Sequence, residues 1–109
     1  MLLDVRTYTL KPGTLKAHFA LYEKYGKAPQ TRHLGQPHAY LRTETGDPNE
    51  YVHIWVYKDA ADRAARRAAM QSDPDWLDYT KRSAELGALV RQSNKLMIPV
   101  DFFDFTPPA

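Results

Sequence analysis

Cysteine is absent from the chain. That one absence removes disulfides, thiolate nucleophiles and cysteine-based zinc sites together. A surplus of charge is also missing. Fifteen basic residues face 13 acidic ones, for a formal net charge of +2, which leaves no electrostatic footprint for DNA or RNA, and no nucleic-acid partner is expected. No apolar run approaches the roughly 18 residues of a membrane span. The opening "MLLDVRTYTLKPG" has no positive segment, long apolar stretch or cleavage site. It reads as a strand rather than a signal or transit peptide, and the cytoplasm is the expected location. The five glycines are scattered and form neither GxGxxG nor a P-loop, and no serine sits in a GxSxG elbow. His18, His33, His38 and His53 make no HExxH pattern and no i,i+4 pair on a helix beside an acid. No metal site and no cofactor are expected from them.

What remains is a chain of 109 residues, suited to a single domain over 1–109. Seven tyrosines, four phenylalanines and two tryptophans argue against disorder. Leu2 to Leu10 alternates, with Leu3, Val5 and Thr7 on one side and Asp4, Arg6, Tyr8 and Leu10 on the other, as in a strand. "KPGT" turns the chain, with Thr14 as candidate N-cap. Leu15, Phe19 and Tyr22 then take helical spacing, and Gly26 and Pro29 are expected to weaken and end that helix. His38 to Thr45 alternates again. "GDPNE" reads as a hairpin loop before a third strand, "EYVHIWVY". Asp59 caps an alanine-rich helix. Asp73 and Pro74 start another, with Trp76, Tyr79 and Leu86 on its expected buried side and Gly87 at its end. Ser93 to Val100 is the expected fourth strand, before an aromatic and proline-rich tail whose Phe102, Phe103 and Phe105 either seal their own domain or reach a partner.

The order β–α–β–β–α(α)–β, with one direct hairpin, specifies an α+β fold of the ferredoxin-like, split βαβ kind. An antiparallel sheet carries helices on one face. "EYVHIWVY" is apolar on both faces. Val52, Ile54 and Val56 are expected against the helices. Tyr51, His53, Trp55 and Tyr57 then need another cover, and a second sheet about 10 Å away supplies it. A homodimer is therefore expected, its two sheets enclosing a part-aromatic, part-polar space. Arg6, Tyr8, His38, Tyr40, Arg42, His53 and Trp55 sit at alternating positions that can face such a space, the usual build of a small-molecule pocket.

The ordered set of segments "VRTYTLKPGTL", "LYEKYG", "RHLG", "YLRTETGDPNEYVHIWVYKDAADRAARRAA", "DPDWLDY" and "NKLMIPV" resembles the NIPSNAP family of dimeric α+β-barrel proteins. The resemblance runs nearly end to end, and the family's fold agrees with the order read above. It implies a free-standing dimeric barrel and brings no accepted catalytic set. The wider superfamily includes cofactor-independent monooxygenases acting on aromatic polyketides, haem-degrading enzymes and muconolactone isomerases. That likeness is one of fold, and a fold hosts many functions.

The candidate catalytic residues are His53, Tyr8 and Arg6. His53 is read as a general base or ligand anchor, against a hydrogen-bonded interior histidine. Arg6 is read as a clamp for a carboxylate or enolate, against a pair with Glu44, and Tyr8 as an oxyanion donor, against core filling. Arg32, His38, Tyr40, Arg42, Tyr51 and Trp55 complete the candidate ligand-binding set. His33 and Arg32 compete with a role at the helix end. Arg63, Arg66 and Arg67 read as a solvated face pairing with Asp59 and Asp62 rather than a phosphate patch. The expected function is binding of a small, aromatic molecule. Any chemistry is expected to be proton transfer or cofactor-independent oxygenation with His53 as base. The rival is a non-catalytic dimeric interaction module whose interior is filled. Haem binding would require an axial histidine in the pocket.

Overall fold

The computed structural model describes residues Met1–Pro108. Strand β1 (Leu2–Leu10) leads into helix α1 (Leu15–Leu21), a π-helical turn (Tyr22–Gly26) and helix α2 (Lys27–Leu34). Strands β2 (Ala39–Arg42) and β3 (Glu50–Tyr57) form the hairpin, and helices α3 (Ala60–Gln71) and α4 (Pro74–Leu86) precede β4 (Leu89–Met97). The sheet order is β2-β3-β1-β4 with every neighbouring pair antiparallel. This is the expected α+β ferredoxin-like arrangement, with the helices on one face.

The caps of α3 and α4 form as expected, whereas Thr14 precedes α1 without a side-chain cap bond, its hydroxyl donating instead to the Lys11 carbonyl at 2.7 Å. Asp59 accepts from the Asp62 N–H at 2.8 Å and Asp73 from the Asp75 N–H at 2.9 Å. Pro74 sits in the first turn, and Gly87 closes α4 at φ 67°, in the left-handed region. The N–H of Lys11 donates to the Ala88 carbonyl at 2.8 Å, so β4 begins directly after the cap, earlier than the expected Ser93 start.

The helix expected to stop near Gly26 and Pro29 continues to Leu34. The π turn absorbs the disturbance, with the Lys27 N–H reaching back five residues to the Tyr22 carbonyl. Gly26 is held by proximity rather than by flexibility. A Cβ there would lie 2.8 Å from a Tyr22 ring carbon and 2.9 Å from one of Tyr79.

The two faces of the sheet are reversed from expectation. Tyr51, His53, Trp55 and Tyr57 are buried against the helices, together with Asp4 and Leu10. Val52, Ile54 and Val56 lie on the half-exposed side, in register with Thr7, Val5 and Leu3 of β1. The reason lies in the helices. α3 presents mostly alanine and arginine, so long side chains from the sheet must cross the gap. Trp55 and Tyr57 do so, packing with Leu34 and Met70. Phe19 and Leu15 of α1 pack on Tyr51, Leu10 and Ala88. Flat β-branched residues are left for the open face. Leu86, expected to be buried, is exposed, and Phe102 is 92 % exposed.

Candidate functional site

The alternation of β3 places His53 on the helix-facing side between Tyr51 and Trp55. Its Nδ1 accepts a 2.7 Å hydrogen bond from the Trp55 indole N–H. An indole nitrogen only donates. The neutral imidazole therefore carries its own proton on Nε2, and its lone pair is the one already engaged on Nδ1. The ring is 2 % exposed, and Nε2 is buried without a partner. Burial, aided by the nearby Arg6 charge, pushes the His53 pKa down to about 3, so the ring is neutral at pH 7. His53 is a donor with nothing to donate to.

Arg6 is the cross-strand partner of His53 on β1. Its Nη1 donates to Asp4 at 3.0 Å, and its Nε and Nη2 reach the Tyr8 hydroxyl at 3.4 and 3.3 Å. The Tyr8 oxygen accepts from the guanidinium, which leaves its proton available to another acceptor. Asp4 is wholly buried behind this pair. Arg63 donates to it at 3.1 Å and Asn94 at 2.9 Å. Burial alone would raise the Asp4 carboxyl, but Asn94, Arg6 and Arg63 outweigh it and hold it below the usual carboxylate range. The carboxylate fixes Arg6 and is consumed in doing so.

Arg6, Tyr8 and His53 line a cavity of about 200 Å³ between the sheet and the helices. An apolar cavity of roughly 150 Å³ is enough for a benzene ring. Tyr40, Tyr51 and His53 stand nearly parallel along one wall, with Tyr40 and His53 4.9 Å apart at 24° and Tyr51 and His53 5.7 Å apart at 19°. His18, from α1, is buried and sits 2.7 Å from the Tyr51 hydroxyl through Nε2. Burial lowers its pKa. Tyr22 and Tyr79 come from the helix side, where the Tyr22 hydroxyl donates to Gln30. Burial pushes the Tyr79 hydroxyl up to about 12 and raises those of Tyr22, Tyr40 and Tyr51 further, so all four stay protonated. No aspartate or glutamate lines the cavity.

Of the residues expected from the sequence, Arg6, Tyr8, Tyr40, Tyr51 and His53 meet in this one cavity. It lies inside the subunit rather than between two sheets. Trp55 lies behind His53. Arg42 lines a wider groove of about 400 Å³ on the other side of Tyr22 and Tyr40, 3.6 Å from Glu44. His38 rests against Phe105, ring centres 5.0 Å apart. Arg32 and His33 both donate to Asp73, at 2.6 and 2.7 Å, and so tie the end of α2 to the cap of α4.

His18, Asp4 and Gln30 stand in or behind the wall without having been expected there, and the α3 arginines are not simply a solvated face. His18 falls on the Leu15, Phe19, Tyr22 stripe, and that spacing was a signal of burial. Asp4 shares the face of Arg6 and Tyr8. The arginine cluster of α3 divides three ways, Arg63 to Asp4, Arg66 to Asp62 at 2.9 Å and Arg67 to the cavity. Gln30 lies beyond Pro29, where the helix was expected to have ended. Among the described residues no group of three or more His, Cys, Asp or Glu is placed to hold a metal, and no helix is long and apolar enough to cross a membrane.

Comparison with known proteins places this geometry in a family. The NIPSNAP family model matches residues 3–103, and the chain belongs to that family. It is similar to a NIPSNAP family protein of unknown function from Agrobacterium tumefaciens, with 38% identity, 94% of this chain and 91% of that one covered, and a TM-score of 0.86. An uncharacterized NIPSNAP-like domain protein from Burkholderia xenovorans is 34% identical over 98% of this chain and 91% of its own, with a TM-score of 0.88. An antibiotic biosynthesis monooxygenase shares the fold at a TM-score of 0.63 and 19% identity, covering 92% of this chain and 99% of its own. That likeness is one of fold alone. No curated protein matches.

Proposed function

We propose that this NIPSNAP-family chain is a homodimeric binding protein for a small aromatic molecule, with one ligand cavity in each subunit between the sheet and its own helices. The observation that carries the reading is a cavity large enough for one ring, walled in part by His53, whose buried Nε2 has no partner. A buried donor left unsatisfied costs on the order of 1–3 kcal/mol, and a ligand oxygen would recover that. A filled interior, as a pure interaction module would have, gives no reason for the space.

Binding rather than base catalysis at His53 is the role that fits. The bond from Trp55 occupies the lone pair a base would use, and no carboxylate lines the cavity to replace it. Proton transfer or oxygenation with His53 as base therefore has no support in this geometry. Dimerisation belongs to the opposite face. Leu3, Val5, Val52, Ile54 and Val56 make an aliphatic surface, extended by the exposed Leu41 and Met97, and two such sheets pack face to face.

Ligand-observed NMR with a library of single-ring compounds tests the cavity. Ser83 lines it from α4, so Ser83→Trp fills it. Compounds are expected to bind the native protein and not the filled variant. Binding that survives in Ser83→Trp, or no binding of any ring compound to the native protein, overturns the reading.

A further inference from the structure

The formal charge in the cavity wall is of one sign, since Arg6 and Arg67 line it and no carboxylate does. His53 offers Nε2–H, and Tyr8 offers its hydroxyl proton because Arg6 already occupies the oxygen. Arg6 lies across from His53. Arg67 also lines the space, and none of the ion pairs among the described residues involves it. The single carboxylate nearby, Asp4, lies behind the wall and is shared between two arginines and an asparagine. Arg6 is thus held by Asp4 from behind, while Arg67 and at least two free protons meet no negative charge inside the cavity.

Resting on the cavity reading above, we propose that the site selects ring compounds bearing an ionised oxygen, a phenolate, ring enolate or aryl carboxylate, and seats that oxygen against His53 Nε2–H and the Tyr8 hydroxyl beside Arg6. The near-parallel wall of Tyr40, Tyr51 and His53 would hold the ring. A neutral imidazole donor suits this role. Its proton stays on Nε2 because Trp55 holds the other nitrogen, so recognition needs no protonation of the ring. Charge-assisted hydrogen bonds are roughly twice as strong as neutral ones. A carboxylate in the wall would cancel the preference, and none is there.

The test compares para-nitrophenol with para-nitroanisole on the native homodimer, at a pH where the free phenol is half ionised. The two probes share the ring and nitro group, and only the first has an ionisable oxygen. Binding of the phenol is expected to deepen the phenolate absorbance and to be at least about tenfold tighter than that of the anisole. His53→Phe is expected to erase the difference, and Tyr8→Phe to reduce it. Equal binding of the two probes overturns the selection while leaving the cavity reading intact. A phenol that binds with loss of its phenolate band also overturns it, as does undiminished discrimination in folded His53→Phe. Binding of neither probe overturns the cavity reading and the selection with it. Should His53→Phe fail to fold, the probe comparison on the native protein decides alone.

Discussion

The indole N–H of Trp55 points along β3 to His53 Nδ1 at 2.7 Å, and through that one bond a core tryptophan sets which nitrogen of the histidine carries the proton. Each residue is buried, so water does not compete for the bond.

Trp55→Phe keeps an aromatic filler and removes the donor. Both ring nitrogens of His53 are then unpartnered, and the neutral ring is expected to sample both tautomers. Nitrogen NMR of the imidazole should report Nε2–H alone in the native protein and a mixture in the variant. The orphaned acceptor and the lost indole volume should together cost about 1–3 kcal/mol in chemical denaturation. A native spectrum dominated by Nδ1–H would sink the donor role.

Acid stability follows from the same burial. The folded pKa of His53 is about 3, below the ordinary value of 6.5, and that of His18 is lowered too. Between those limits the unfolded chain binds more protons than the folded one. The stability conferred by keeping these rings neutral is therefore complete above about pH 6.5 and lost as the pH falls toward about 3. His53 alone should contribute a slope approaching 1.4 kcal/mol per pH unit within that window. Urea midpoints at pH 7, 5.5 and 4.5 measure it, and His53→Gln should flatten the curve. An unchanged slope in that variant would assign the acid sensitivity elsewhere, with Asp4 contributing only at the acid end, since its folded carboxyl titrates below the usual range.

Element order and strand pairing were legible because alternation and helical spacing are local properties of the chain. The residues His53, Arg6, Tyr8, Tyr40 and Tyr51 were legible as one group for the same reason, since residues two apart on a strand share a face. Which face meets the helices was not legible. Both sides of "EYVHIWVY" are apolar, and the choice depends on the volume the helices leave open, a tertiary quantity. The path of the first helix was hidden similarly. Gly26 and Pro29 are helix breakers by propensity, and only the Tyr22 and Tyr79 rings against Gly26 reveal why a glycine is needed inside a continuous helical segment. His53 as a base was the natural reading of a lone histidine, and the partner that argues against it sits two residues away, in a hydrogen bond that spacing alone does not predict.

Gly26→Ala is a direct test of that packing. In an ordinary helix interior the change would stabilise by roughly 0.5–1 kcal/mol. Here the new methyl meets two ring edges at 2.8 and 2.9 Å. Tyr79 is itself flanked by Trp76, ring centres 5.1 Å apart, so it has little room to retreat. Net destabilisation of about 1–3 kcal/mol is expected, read as a lower denaturation midpoint. A variant more stable than the native protein would mean that the rings swing away easily, and that the cavity they border is soft.

The proposed dimer rests on the aliphatic face. Ile54 sits near its middle, in register with Val5 on one side and Ala39 on the other. Within a single subunit its side chain is half-exposed, so a lysine there would reach water at little cost to the fold. Between two packed sheets the same lysine would bring an unpaired charge into an apolar interface on both copies at once, because a twofold interface presents each substitution twice. Ile54→Lys is therefore expected to leave circular dichroism nearly unchanged while converting a dimer to monomers at micromolar concentration, seen by native mass spectrometry. A dimer that survives the change would move the interface elsewhere, and the exposed Phe102 and Phe103 of the tail would be the next surface to substitute. A native protein that is monomeric from the start would mean that contiguous apolar surface of a kind monomers rarely tolerate is covered by a different partner.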